Sequence, residues 1–140
     1  MTVLIDTCIW SLALRRKSTA ILGAEEQLLV ASLTQAIQDG QAAIIGPIRQ
    51  EILSGIQDSA RFQRIQNALS AFPDEQLSSA DFEEAARLCN LCLSLGIASG
   101  QVDILICAVA RRRSWSIFTS DKGLKRCIEA IRRSPISGPM

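Results

Sequence analysis

The segment Val3-Leu-Ile-Asp6 places three aliphatic residues directly before an aspartate, and a helical pattern from Thr7 to Arg16 follows it. A short aliphatic run of this kind is typical of a buried strand in a parallel sheet. A second run, Ser116-Ile-Phe-Thr119, leads in the same way to Asp121. Parallel strands end at one edge of a sheet, where open α/β sheets bind their ligands. We therefore expect Asp6 and Asp121 to lie together at that edge.

The chain between these two runs alternates helical patterns with short extended ones. Apolar spacing, glycine stops and a proline start predict helices at Ala24–Asp39, Pro47–Gly55, Arg61–Phe72, Ser79–Leu95 and Ile104–Arg112, and strands at Ala42–Ile45 and Glu75–Leu77. Ser78 is a plausible N-cap for the helix at Ser79–Leu95. This alternation indicates an α/β domain whose parallel sheet is covered on both faces.

Length and composition are those of one globular domain. The 140 residues are 48% hydrophobic and 21% charged, so we expect a single domain over residues 1–133 and a tail or short edge strand over residues 134–140. The longest apolar run, Ile104 to Ala110, is too short to span a membrane. No basic leader precedes the first strand, and we expect a soluble protein of the cytoplasm.

The cysteine and histidine content restricts the chemistry. Five cysteines in apolar surroundings fit reduced core residues better than a disulfide framework. The chain has no histidine, which removes histidine-based catalytic triads and leaves Cys89-Asn-Leu-Cys92 without partners for a zinc site. Carboxylates must therefore carry any catalysis.

Four acidic residues are the candidates: Asp6, Glu51, Asp103 and Asp121. Taken one at a time, each fits a helix cap, a turn or a solvated helix position at least as well as a catalytic role. Taken together, Asp6 and Asp121 follow neighbouring strands and Asp103 starts a helix beneath the same sheet edge. Crowded carboxylates repel one another there, which favours protonation unless a divalent cation neutralises them. Oxygen ligands of this kind suit Mg²⁺ or Mn²⁺.

The same residues resemble a known family in their order along the chain. The matching segments are Leu4-Ile-Asp6-Thr, Pro47-Ile-Arg-Gln-Glu51, Asp103-Ile-Leu-Ile-Cys and Phe118-Thr-Ser-Asp121. Together they look like a PIN domain of the VapC toxin group, over nearly the whole chain. The sequence departs from that pattern at Leu124, where many relatives carry an aromatic residue, and in having no clear final strand.

The resemblance implies a fold, an activity and partners. The fold would be a three-layer α/β/α PIN-like domain with a short, mainly parallel central sheet. The activity would be hydrolysis of RNA by an endoribonuclease that uses Mg²⁺ or Mn²⁺, with an antitoxin partner and a homodimeric state. By position, Asp6, Glu51, Asp103 and Asp121 would bind metal, and Thr7, Thr119 and Ser120 would lie beside them.

Basic and aromatic residues give weaker indications. Residues 101–140 hold eight basic and three acidic residues, and Lys122, Lys125 and Arg126 follow the last acid closely enough to contact RNA phosphates. For the run Arg111–Arg113 a solvated helix face is slightly favoured over phosphate binding. Trp10 and Trp115 fit core or interface positions better than base stacking, and Ala24–Asp39 is a candidate partner-facing or dimer-facing helix by resemblance.

Other functions stay open at this point. A PIN-like module could bind RNA or protein without cutting, although the presence of all four acids argues against it. A phosphotransferase of the haloacid dehalogenase type would need a second aspartate two residues after Asp6, where this chain has Cys8. A receiver domain would need paired acids before its acceptor aspartate and a lysine after a late strand, which Lys122 fits only loosely.

Overall fold

The structure is a computed structural model that describes residues 1–15 and 21–134. Its elements follow the predicted alternation of strands and helices: β1 (Val3–Ile5), α1 (Thr7–Leu14), α2 (Ala24–Gln38), β2 (Ala42–Ala43), α3 (Gly46–Leu53), α4 (Ser59–Leu69), α5 (Ser79–Ser94), α6 (Gln101–Arg113), β3 (Ser116–Phe118) and α7 (Lys122–Arg133). The predicted end of the first helix at Arg16 and the predicted edge strand around Ile136 lie outside the described residues.

The central sheet is short and parallel, in the order β2-β1-β3. Leu4 of β1 is paired with Ala43 on one side and with Ile117 on the other. Leu4 and Ile5 are completely buried, as the aliphatic run predicted. Helices α1 to α4 pack as one group and α5 to α7 as another. The predicted three-layer α/β/α fold is therefore confirmed.

The predicted strand at Glu75–Leu77 is wrong. Only one bridge forms in this region, between Asp74 and Ile44, and Glu75 adds a single backbone hydrogen bond to the Ile44 carbonyl. Past that point the segment is held by a side chain, because Arg113 donates to the Glu75 carboxylate and to the Gln76 carbonyl. These contacts replace the strand pairing that an extended segment would otherwise make.

Helix α6 passes through the centre of the molecule. Every residue from Ile104 to Ala110 is buried, which explains why this helix is apolar on all sides. It starts earlier than predicted, with Gly100 as its N-cap. Asp103 therefore lies within the first turn, and the suggestion that it caps the helix is wrong.

The arginines at the end of α6 form internal ion pairs, a use that the sequence analysis did not consider. Arg112 and Arg113 donate to Asp81 at 2.6 and 2.7 Å, and the Asp81 side chain is fully buried. Arg113 also holds the Asp81 pKa well below its usual range through this hydrogen bond. The same carboxylate accepts from the backbone N–H of Ser78, the predicted N-cap of α5. These contacts tie α5 to the end of α6.

Helix α7 was not predicted as a helix. Leu124, Cys127 and Ile131 are buried along one of its sides, and Ile128 packs against the core beside them. This i, i+3, i+4, i+7 spacing is a helical signal that the clustered charges of the segment obscured. No helix within residues 1–15 and 21–134 has the length and apolar character needed to cross a membrane.

The predicted core position of Trp10 is confirmed. Its side chain is buried, its indole N–H donates to the Ile5 carbonyl at 3.1 Å, and its ring meets Phe72 edge-on at 5.1 Å. Trp115 is partly buried against the core, with the Arg113 guanidinium over its ring. Cys92, Cys107 and Cys127 are buried free thiols, as expected.

Candidate active site

The four predicted acids line one open cavity of about 620 Å³ at the carboxyl ends of β1 and β3. Asp6 and Asp121 follow these two strands and are the N-caps of α1 and α7. Glu51 comes from α3, and Asp103 comes from the first turn of α6. The fold therefore brings together residues that are up to 115 positions apart, Asp6 and Asp121, at the predicted edge of the sheet.

Asp6 is the most buried of the four acids, with 5% of its surface exposed, and its orientation is fixed by three donors. One carboxylate oxygen accepts from the Thr7 backbone N–H at 2.7 Å. The other accepts from the Thr119 hydroxyl at 2.7 Å and from the Cys8 thiol at 3.2 Å. Buried carboxylates need such donors, and these contacts hold Asp6 in a single orientation.

Thr119 connects two of the acids. Its hydroxyl donates to Asp6 and accepts from the backbone N–H of Asp121 at 3.0 Å. The Asp121 carboxylate in turn accepts from the Leu124 backbone N–H at 2.7 Å, which completes the cap of α7. A side chain at Gly123 would place its Cβ 3.2 Å from the same Asp121 oxygen, so the turn favours a small residue there.

Thr7 and Glu51 form a second connection across the cavity. The Thr7 hydroxyl donates to a Glu51 carboxylate oxygen at 2.6 Å and joins the start of α1 to α3. Glu51 itself is exposed to solvent. The predicted position of Thr7 and Thr119 beside the acids thus corresponds to specific hydrogen bonds.

Asp103 experiences the charge of the whole cluster. Burial is the first cause that raises its pKa to about 6, and the negative charges of Asp6, Asp121 and Glu51 add to it. No hydrogen bond to its side chain offsets these effects within the described part of the chain. Four carboxylates therefore share a space in which at least one is destabilised as an anion.

Cys8 and Gln50 belong to the cavity but were not predicted as site residues. The Cys8 thiol lies 3.6 Å from the Thr119 hydroxyl and accepts a hydrogen bond from the Ser120 hydroxyl at 3.4 Å. Ser120, which was predicted to lie beside the acids, thus contacts the site through Cys8. Gln50 precedes Glu51 on α3 and lines the same cavity. Helical spacing from Glu51 could have indicated which face of α3 is involved, whereas no sequence signal separates Cys8 from the core cysteines.

The donor set suits a hard divalent cation. The charged residues that line the cavity are all carboxylates, and no lysine or arginine among them neutralises the cluster. Across residues 1–15 and 21–134, however, no three Asp, Glu or Cys side chains are grouped so that they could hold an ion as they stand. Residues of the correct chemistry therefore surround the cavity, and an ion would need side chains other than the fixed Asp6 carboxylate to turn toward it.

The predicted phosphate-binding residues lie on α7 outside the cavity lining. Lys122 is the first residue of α7, directly after Asp121, and Lys125 and Arg126 lie one turn further on. All three are exposed. None of them makes a salt bridge within residues 1–15 and 21–134, so their charge is available to a ligand.

Comparisons with known proteins bear on the family and the fold. The family model described as PIN domain matches residues 3–129. A search of curated proteins finds no match. Among solved structures, the chain is similar to one in the crystal structure of FitAcB from Neisseria gonorrhoeae, with a TM-score of 0.72 and 17% sequence identity. That match covers 91% of this chain and 94% of the other, and it shows a shared fold.

Proposed function

This chain belongs to the PIN domain family, whose members are generally nucleases, and we propose that it is an endoribonuclease dependent on Mg²⁺ or Mn²⁺. One observation carries the proposal: four carboxylates face one open cavity, and their repulsion helps to raise the Asp103 pKa to about 6. Such a cluster is a poor ligand for an anionic RNA by itself. A divalent cation would offset part of this negative charge and give the phosphodiester oxygens a positive partner.

The four acids would share the metal, and the neighbouring residues would position them. A bound Mg²⁺ or Mn²⁺ would supply a more acidic water and positive charge for the phosphate, as in other metal-assisted hydrolyses. Asp6 would present a fixed carboxylate, because Thr119 and Cys8 already hold one of its oxygens. Glu51 would turn from its hydrogen bond with Thr7. Products with 5′-phosphate and 3′-hydroxyl ends are expected by family resemblance.

The basic residues of α7 would guide the RNA backbone toward the acids. Lys122, Lys125 and Arg126 are exposed on the helix that Asp121 caps. Each phosphate contact that a lysine or arginine makes releases counterions, so the logarithm of RNA affinity falls with the logarithm of salt concentration. Replacing Lys122 and Lys125 with glutamine should reduce that slope by about 1 to 2 in filter binding. An unchanged slope would place the RNA elsewhere.

The cleavage test compares matched aspartate variants. Purified protein would be incubated with structured and single-stranded RNAs in Mn²⁺, Mg²⁺ or EDTA, next to Asp6→Asn and Asp39→Asn. Asparagine keeps the capping ability of Asp6, so its loss of activity would report chemistry and not folding. Asp39 is exposed at the end of α2 and controls for the substitution itself. Equal cleavage by all three proteins, or full activity in EDTA, would reject the proposal.

The biological setting we propose is that of the toxin in a cytoplasmic toxin–antitoxin pair, acting as a homodimer. Helix α2 offers a surface for a protein partner. Leu33 buries one side of the helix in this chain, while the side chain of Leu28 is 70% exposed and available for an apolar contact. Expression of the chain should arrest growth, and Asp103→Asn should relieve the arrest at equal protein levels. Unimpaired growth with intact wild-type protein present would count against a toxin.

A binding module without nuclease activity is the second candidate. It is favoured by the observation that no three of the described Asp, Glu or Cys side chains could hold an ion as they stand. The same assays distinguish the two, since a binding module would retain RNA in filter binding and leave it intact in Mn²⁺.

A further inference from the structure

The side of helix α3 that faces the cavity carries a neutral residue next to an acid. Pro47, Gln50 and Ser54 line the cavity together with Glu51, which matches the i, i+3, i+4, i+7 spacing of one helix face. Gln50 therefore lies beside the proposed metal-binding carboxylates. Its side chain is exposed to the solvent that fills the cavity.

Hydrogen bonding separates Gln50 from the other uncharged polar residues of the lining. The Thr7 hydroxyl donates to Glu51, the Cys8 thiol donates to Asp6, and the Ser54 hydroxyl donates to the Gln50 backbone carbonyl at 2.6 Å. The Gln50 amide has no hydrogen bond to any residue in ranges 1–15 and 21–134. It is the neutral donor and acceptor of the lining that remains free for a ligand.

The backbone that carries Gln50 is rigid. Ile48 and Ile52 on the opposite side of α3 are completely buried. Arg49 fixes the helix laterally by donating to the Asp74 carboxylate at 3.0 Å and to the Leu69 carbonyl at 3.1 Å. A polar group on a fixed helix can select between ligands, because a mismatched partner cannot be accommodated by moving the backbone.

We propose that Gln50 recognises a base beside the scissile phosphate of single-stranded RNA and favours adenine or cytosine. This inference rests on the proposed ribonuclease function. The amide oxygen can accept from the exocyclic amino group of these bases, while the amide nitrogen donates to the adjacent ring nitrogen. The surrounding carboxylates attract the same amino group. They repel O6 of guanine and O4 of uracil, the carbonyl oxygens that occupy the position of that amino group.

The test measures cleavage of single-stranded oligonucleotides that differ in one base. Each of the four bases would be placed in turn on either side of one cleavable position, and kcat and KM would be measured in Mn²⁺. The enzymes would be wild type, Gln50→Met and Gln66→Met. Methionine has a length similar to glutamine without its hydrogen bonds, and Gln66 is an exposed residue of α4 outside the cavity lining.

The wild type and Gln66→Met should cleave the adenine and cytosine substrates roughly 5- to 100-fold better in kcat/KM, the range expected for one bidentate base contact. Gln50→Met should lose this preference mainly through a higher KM for the adenine and cytosine substrates. A flat wild-type profile, a preference for guanine or uracil, or an unchanged profile in Gln50→Met would overturn the inference while leaving the ribonuclease intact.

A binding measurement covers the case in which no RNA is cleaved. In that case, fluorescence anisotropy with the same oligonucleotides in Mn²⁺ reports base preference at the metal-bound cavity. A preference for adenine or cytosine that Gln50→Met loses would support the role of Gln50 even though the proposed nuclease function had failed. Equal binding of all four bases, or no binding, would reject the role of Gln50.

Discussion

Replacing Asp103 with asparagine should stabilise the metal-free protein at neutral pH, although it should abolish the proposed activity. Burial and the charges of Asp6, Asp121 and Glu51 raise the Asp103 pKa from 3.8 to about 6, so its ionised form is destabilised in the folded protein. The difference corresponds to roughly 3 kcal/mol at about 1.36 kcal/mol per pKa unit. Asparagine has a similar shape and no charge to destabilise.

Two effects reduce this magnitude. Asp103 is only half-buried, so solvent screens part of the repulsion, and about 1–2 kcal/mol of the roughly 3 kcal/mol remains. Asp103 also lies in the first turn of α6, where a negative charge stabilises a helix by about 0.3–1 kcal/mol that asparagine would lose. A net gain of about 1 kcal/mol is therefore expected, or roughly 2–4 °C in Tm for a chain of this size.

The pH dependence tests the cause. A raised folded-state pKa means that the folded protein binds the proton more tightly than the unfolded chain between pH 3.8 and about 6. Wild-type stability should therefore fall relative to Asp103→Asn as the pH rises through that window. The two proteins should be equally stable below it and differ fully at pH 7.

Thermal unfolding in EDTA between pH 4 and pH 8 measures this directly. Glu83→Gln, which removes an exposed carboxylate elsewhere, should show no such trend. Adding Mg²⁺ or Mn²⁺ should raise the Tm of wild type more than that of Asp103→Asn, because a ligand stabilises only the state that binds it. A Tm for Asp103→Asn at or below that of wild type at pH 7 in EDTA would refute the repulsion argument.

Substitutions at three further residues test individual contacts. Asp81→Asn should lower the free energy of unfolding, measured in urea, by about 2–4 kcal/mol, because it leaves two partly exposed arginines without their buried partner. A decrease below about 0.5 kcal/mol would contradict that role. Asp121→Ala should lose about 1 kcal/mol through the α7 cap while Asp121→Asn keeps it, so equal stability of the two would dismiss the cap. Thr119→Val should lower kcat about 10-fold or more because it removes the hydroxyl that donates to Asp6, and Thr119→Ser should restore kcat because it keeps that hydroxyl. A Thr119→Val rate equal to that of wild type would contradict this role.

The sequence was sufficient to predict the positions of Asp6 and Asp121. Each follows a short aliphatic run, and the rule that parallel strands end at one edge places both acids there without further information. Asp103 could be placed at the same edge because it precedes the apolar helix Ile104–Arg112. Glu51 is different, since it lies within a helix and only its family resemblance indicated that it joins the cluster. Which side of a helix faces the cavity depends on its packing, which local spacing does not determine.

The contacts that the sequence did not reveal are those between distant segments. Arg112 and Arg113 fitted a solvated basic run in the sequence because their partner, Asp81, lies 31 and 32 residues away.

Two further features were missed for other reasons. Cys8 resembled a core cysteine in the sequence, and only the turn after β1 directs its thiol to Asp6. Helix α7 was overlooked because its charges drew attention away from the spacing of Leu124, Cys127 and Ile131. Both of these features are local, because Cys8 lies two residues after Asp6 and the α7 spacing falls within one helix.

The two acids that follow strands also explain how the cluster is compatible with folding. Asp6 and Asp121 each cap a helix, so each carboxylate accepts a backbone N–H that would otherwise lack a partner. Asp103 has no such donor and carries the raised pKa. The fold thus stabilises Asp6 and Asp121 through the helices that they start, whereas repulsion within the cavity destabilises the ionised form of Asp103. If a metal binds here, relief of that cost at Asp103 should be the main source of the stability that it adds.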